Sequence, residues 1–301
     1  MKDQYEYMNR RQFLRKSGGI IAGAALASAR VGSEVKGAEP NTYPDNGPDD
    51  LDKYDFLMPR VKFTHEKREV DRWDVRPGGD ANLLRELSSA IRCRTKPVRQ
   101  AFDWHPQWAI EGQLNAVVSF EKLKDIEKYP FLFMTGENPY KFDDREKANL
   151  KEYILRGGFL LMDDCVYLDG GDFFYKSSYA LLEEVFGSGS VKRIRPEHEV
   201  FHNVYDLSDT GLPPLQKIAP VMPVPMRGFR RPSQSPLPHM AGHGQNHGAR
   251  GVFIGDRLAI FLSSTDLHCG WCDSRGATFG RASYEKTIQM GINIIMYAIS
   301  H

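Results

Sequence analysis

Tyr129-Pro130-Phe131-Leu132-Phe133-Met134-Thr135-Gly136 and Gly157-Gly158-Phe159-Leu160-Leu161-Met162-Asp163-Asp164-Cys165 decide the architecture. Each is a continuous apolar run, opened by turn residues and closed by Gly or by carboxylates. A run without alternation is apolar on both sides, which suits a strand buried in a parallel sheet. Between them Asp143 opens a helical pattern with Leu150, Tyr153 and Ile154 on one face, and Gly157-Gly158 stops it. Strand, helix, strand in that order predicts an α/β fold with a mainly parallel sheet. Ligands of such sheets sit beyond the carboxyl ends of the strands. Thr135-Gly136-Glu137-Asn138 and Asp163-Asp164-Cys165 are therefore the first places to look for a site.

The pattern continues outward. Val61-Lys62-Phe63 alternates and predicts a first strand. Pro77-Gly78-Gly79-Asp80 reads as a turn, with Asp80 capping a helix that carries Leu83, Leu84, Leu87 and Ile91. A third helix is expected from Phe174 to Phe186 and a last one from about Ser283 to Ile299. Val252-Phe253-Ile254 and Leu258-Ala259-Ile260-Phe261-Leu262 flank Gly255-Asp256-Arg257 as a hairpin.

Composition narrows the class. Of 301 residues, 26% are charged and 41% hydrophobic, as in an ordinary folded chain. Forty basic residues against 39 acidic give a net charge of +1, which excludes a nucleic-acid binder working by bulk charge. No apolar run reaches the roughly 18 residues of a membrane-spanning helix, and no long block repeats.

The amino terminus reads as an address. Asn9-Arg10-Arg11-Gln12-Phe13-Leu14-Arg15-Lys16 is a twin-arginine pattern, followed by a Gly/Ala-rich stretch to Ala27-Ser28-Ala29, a small-x-small cleavage site. The bland alternative is an amphipathic helix packed on the domain, for which the glycines are poorly suited. Residues 1–29 are expected to be the export signal, leaving about −2 on the rest and placing the protein in the periplasm or another extracytoplasmic space. Residues 30–58, broken by Pro40, Pro44 and Pro48, read as a flexible linker, and 59–301 as the folded unit. Within it, 220–251 reads as a mobile Pro/Gly/His-rich insertion.

Several segments in the right order resemble the family called domain of unknown function 4159: the two strands, then Asp266-Leu267-His268-Cys269-Gly270-Trp271. Trp73, Arg76-Pro77, Asn82-Leu83-Leu84, Pro196-Glu197-His198-Glu199-Val200-Phe201 and Gly291-Ile292-Asn293-Ile294 agree with it. Glu199 departs from the family, whose members usually have Pro there. The family is similar to the class I glutamine-amidotransferase-like group. The resemblance implies a flavodoxin-like three-layer sandwich with a mainly parallel central sheet, plus the hairpin; it supplies no reaction. Family members often occur beside ATPases and von Willebrand factor A-type proteins, which points to assembly.

Candidate chemistry follows from these positions. Cys165 stands where amidotransferase relatives put a nucleophile on a strand-to-helix elbow. Against it, the elbow needs small neighbours, here Asp164 and Val166, and two adjacent carboxylates would raise the thiol pKa. Asp163 and Asp164 are equally candidates to hold a hard cation or a hydroxyl-bearing ligand, or simply to cap the next segment. His198, between Glu197 and Glu199, groups with His202; neighbouring carboxylates would raise its pKa and suit an acid/base role. His268 is a second candidate base. Cys269-Gly270-Trp271-Cys272 is a C-x-x-C that reads as lying in a loop, so a short disulfide or two thiols is expected before redox catalysis. His239, His243 and His247 recur every four residues and are weak metal candidates, since Gly242, Gly244 and Gly248 make a poor helix.

Two basic clusters, Arg227/Arg230/Arg231 and Arg92/Arg94/Lys96/Arg99, and the aromatics Trp104 and Trp108 read as surface suited to an anionic partner, or as plain solvated surface and sheet cover. The expected protein is an exported binding or assembly protein of the cell envelope, contacting its partner through Gly136, Asp163, Asp164, Asp266 and Trp271. The competing readings are an amidotransferase-like hydrolase with Cys165 attacking and His198 or His268 as base, and a metal-dependent activity on Asp163, Asp164 and histidines. The sequence names no cofactor.

Overall fold

A computed structural model describes residues 53–64, 73–74, 77–96, 114–136, 138–164, 172–207, 247–272 and 281–301. The elements follow as β1 (Pro59–Val61), α1 (Pro77–Ile91), β2 (Ala116–Val118), α2 (Leu123–Ile126), β3 (Phe131–Gly136), α3 (Asp144–Leu155), β4 (Phe159–Asp164), α4 (Phe173–Phe186), β5 (Val191–Arg193), a 3₁₀ turn (Glu199–Phe201), β6 (Arg250–Ile254), β7 (Arg257–Ser263), α5 (Leu267–Cys272) and α6 (Arg281–Ser300). The export signal, Cys165, His239, His243, Arg99, Trp104, Trp108 and the Arg227–Arg231 cluster lie outside the described residues.

The two apolar runs are neighbours. β3 and β4 pair in parallel from Phe131↔Phe159 to Gly136↔Asp164, and all twelve residues are buried. The seven strands stand in the order β2-β1-β3-β4-β7-β6-β5. β1, β2, β3, β4 and β7 are parallel; β6 runs against β7 as the hairpin expected from Gly255-Asp256, and β5 runs against β6. The fold is thus α/β with a mostly parallel sheet.

Successive strand side chains point to opposite faces, so the central strands feed two cores. Phe131, Phe133, Phe159, Leu161 and Phe261 join Leu83, Leu84 and Leu87 of α1 and Trp271, Ile292 and Ile295 further on. Leu132, Met134, Leu160, Met162 and Leu262 join Leu150, Tyr153 and Ile154 of α3 and Phe174 and Leu182 of α4. Each such side chain, fully buried, contributes roughly 1.5–3 kcal/mol of transfer free energy.

Local signals explain the helix ends. Asp143 caps α3 by accepting from the Glu146 N–H at 2.8 Å, and Glu146 returns the bond to the Asp143 N–H at 2.8 Å. Gly157 has φ +101°, a left-handed stop, and a Cβ on Gly158 would sit 2.3 Å from the Tyr153 ring.

Three boundaries differ from the sequence reading. α1 begins at Pro77, whose fixed φ suits a first helical position, so Asp80 lies inside the first turn. β1 is Pro59–Val61, and the chain joins the core already at Phe56, Leu57 and Met58. The expected insertion ends by His247, because Arg250 and Gly251 belong to β6.

Candidate functional site

β4 ends on two aspartates that the pleat sends to opposite faces. Asp163 turns toward α5 and accepts from the backbone N–H groups of Leu267 (3.2 Å) and His268 (2.8 Å). Asp266, at φ +57°, accepts from the Cys269 N–H at 3.2 Å. The first three donors of α5, orphaned by helix geometry, are thereby all met by carboxylates. This segment was expected to be a loop; it is a helix because two aspartates cap it. Cys269 and Cys272 sit on that helix, buried, as thiols and not as a disulfide.

Under α5 lies a polar cluster with no exposure. Arg60, in β1, donates from Nη1 to the Trp73 carbonyl at 3.0 Å and from Nε to Asp80 Oδ2 at 3.3 Å; its Nη2 bonds Asp80 Oδ1 and stands 3.1 Å from His268 Nε2. The same His268 nitrogen stands 3.1 Å from Asp80 Oδ1. The guanidinium carbon lies 4.7 Å over the Phe133 ring. Burial alone would raise the Asp80 pKa, but Arg60 and His268 outweigh it and hold the carboxyl below its ordinary range. The cluster fits only because residue 79 is glycine: a Cβ there would come 2.8 Å from both His268 Nε2 and Cys272 Sγ. Asn82 then donates to the Trp271 carbonyl at 2.8 Å, and the Trp271 indole N–H donates to the Thr287 carbonyl at 2.8 Å. Trp271 is fully buried, a clamp between α1 and α6 where a ligand contact was expected.

On the other face Asp164 lies under the first turn of α4, among Tyr140, Tyr175 and Asp172. It is fully buried, and neither carboxylate oxygen has a hydrogen-bond partner among the described residues. Burial first, then the charges of Asp163, Asp266 and Asp172, push its pKa well above the ordinary value. Burial and the Asp266 charge push Asp163 up to about 7. Gly136, the register partner of Asp164, has the Phe63 and Phe174 rings where a Cβ would go, 3.1 and 3.3 Å away. It is a packing position.

At a pH between the unfolded and the folded pKa, each aspartate therefore binds a proton in the folded chain that it has lost in the unfolded chain. Their stabilising contribution is complete below about pH 4 and fades as pH rises to 7 and beyond, by up to about 4 kcal/mol for Asp163. Urea midpoints of the chain are expected to fall from pH 5 to pH 8, and Asp164→Asn to flatten that slope and raise the midpoint at pH 8. Unchanged slopes in the variant would refute the assignment.

His198 stands elsewhere. Its Nδ1 accepts from the Val200 N–H at 3.1 Å, and its ring packs on Tyr297, which packs on Phe159 at the start of β4. That is the amino end of the sheet, about 17 Å along β4 from Asp164 at 3.3 Å per residue. The acidic neighbours were expected to raise its pKa; burial outweighs them and lowers it. His202 is taken up by Asp206 (3.0 Å) and the Pro196 carbonyl (2.9 Å).

The family described as "Domain of unknown function (DUF4159)" matches residues 60–299. The chain belongs to the DUF4159 family. The match spans the whole buried cluster, from Arg60 through Asp80, Asp163, Asp266 and His268 to Trp271. No curated protein matches the chain. Two features of this DUF4159 domain escaped the sequence reading. Arg60 was signalled by a lone charge inside the apolar stretch Leu57 to Val61. The second is at the outer rim, where His247 Nε2 lies 2.6 Å from Asp172 Oδ2 and its ring stacks on Tyr175, centroids 4.1 Å apart. His247, expected with His239 and His243, is thus held by a carboxylate 75 residues away. Among the described residues no three His, Cys, Asp or Glu side chains are placed to hold one metal ion.

Proposed function

We propose that this DUF4159 protein is exported by the twin-arginine route and binds a ligand or partner at the cell envelope, on the carboxyl rim of its sheet, in an assembly role. The observation that carries this reading is Phe173, the first residue of α4, 43% exposed at that rim. Beside it Lys176 projects outward, with its ammonium 2.6 Å from Asp172. An exposed aromatic next to charge is what a recognition surface offers. The polar residues of the family motif are turned inward instead: His268, Asp163 and Trp271 are fully buried and bonded within the fold.

The strand order β2-β1-β3-β4-β7, with an apolar core on each face, supports the flavodoxin-like three-layer reading and with it the amidotransferase-like grouping. In that arrangement the order in which strands are added reverses between β1 and β3, and Phe63, Tyr140 and Phe174 pack together at that point. This directs a partner toward the ends of β4 and β7. The hydrolase reading needs His198 or His268 beside Cys165; His198 lies at the other end of β4 and the His268 Nε2 is bound to Asp80 and Arg60. A shared cation on Asp163 and Asp164 is disfavoured by their opposite faces.

A photo-crosslinking residue at position 173, in the full chain inside its host, is expected to give an adduct with one envelope protein. The same probe at Leu155, 52% exposed near the amino end of β4, should give none. Absence of an adduct at 173, or equal adducts at both sites, overturns the reading. Arg10→Lys with Arg11→Lys is expected to leave the chain unprocessed in the cytoplasm.

A further inference from the structure

Five histidines lie among the described residues, and one differs from the rest. His268 is fully buried, His198 and His202 are bonded to their own loop, and His301 bonds Ser300 and Glu199. His247 is held by its ring and by its backbone. Nε2 faces Asp172 at 2.6 Å; the ring lies within 5° of the Tyr175 plane; the backbone N–H donates to Ser264 Oγ at 3.3 Å; the backbone carbonyl accepts from Arg250 Nε at 3.0 Å. The side chain is one-fifth exposed, and Nδ1 has no hydrogen bond among the described residues.

Asp172 is suited to orient such a ring. Burial would raise its pKa, but bonds from Lys176 and His247 outweigh this and hold it below the ordinary range, so it remains an acceptor. A carboxylate on Nε2 favours the tautomer that carries its proton there and leaves Nδ1 as the acceptor, the arrangement of an oriented general base. Tyr175 stays a neutral phenol, pushed up to about 12 by burial. Lys176 on α4 and Arg250 on β6 supply positive charge beside the pair, and Phe173 an apolar surface one residue away.

We propose that Asp172 and His247 form a general-base dyad that hydrolyses carboxylic esters at the carboxyl rim. A water gives its proton to His247 Nδ1 while its oxygen bonds to the acyl carbon. The carbon–oxygen bond to the alcohol then breaks, and the proton passes from Nδ1 to the leaving oxygen. The products are a carboxylic acid and an alcohol, and nothing is oxidised or reduced. An ester asks least of one base, because its alkoxide departs on return of a single proton. The proposal rests on the rim being where a ligand arrives, and it goes beyond binding.

The test uses the purified full chain and p-nitrophenyl acetate. His247→Gln is expected to lower the hydrolysis rate at least tenfold and Asp172→Asn at least threefold, whereas His202→Gln, in a histidine paired with Asp206 far from the rim, stays within twofold. Without any substitution, diethyl pyrocarbonate should abolish hydrolysis in step with one adduct on His247. A rate unchanged in His247→Gln, or an adduct on His247 with hydrolysis intact, overturns the dyad. Crosslinking at position 173 reports on the binding reading independently of either result.

Discussion

Asp80→Ala is expected to cost about 3–5 kcal/mol of folding stability, because it leaves a buried guanidinium without its carboxylate. Arg60 and Asp80 both have side chains with no exposure. The Trp73 carbonyl and the Phe133 ring remain beside Arg60 but carry no full negative charge. Asp80→Asn, which keeps the shape, should lose less. Replacing both ends, Arg60→Met with Asp80→Leu, should recover most of the loss, since a buried ion pair is weak evidence of net stability while a broken one is strongly unfavourable. Chemical denaturation of the four chains measures this; a loss under 1 kcal/mol for Asp80→Ala would mean that water reaches Arg60.

Trp271→Ala is expected to cost a similar amount, about 3–5 kcal/mol, through the cavity it opens. The indole is fully buried, 5.3 Å from the Phe133 ring, and supplies a donor to the Thr287 carbonyl. Trp271→Phe keeps much of the packing and should lose about 1–3 kcal/mol, the range for a buried acceptor deprived of its donor. Urea titration separates this clamp from a ligand contact: a recognition residue would change binding and leave the midpoint alone.

The parallel sheet was legible because Phe131–Met134 and Phe159–Met162 are apolar without alternation, which only double-sided burial tolerates. The α3 start was legible because a capping pair is local, Asp143 and Glu146. α5 was not, because its N-terminal partner Asp163 is about a hundred residues upstream and Asp266 takes a left-handed backbone that no apolar periodicity announces. The contact of Arg60, Asp80 and His268 was hidden for the same reason: Asp80 reads locally as a helix cap and His268 as a candidate base, and burial joins the three across 208 positions. The same holds for His247, whose periodicity with His239 and His243 suggested a metal while its bonded partner lay on α4. Asp163 and Asp164 looked like one pair in sequence; the pleat of the strand made them two separate groups.

Among the described residues the sheet finishes on each side in a strand of three residues, Ala116–Val118 and Val191–Arg193. A second copy seeking open backbone finds a template shorter than the usual five or so residues of a strand. On β5 it also meets exposed Lys192 and Arg193, whose like charges repel their counterparts. Sideways growth into fibrils or swapped oligomers is thereby discouraged, and whatever association the molecule makes is steered to side chains.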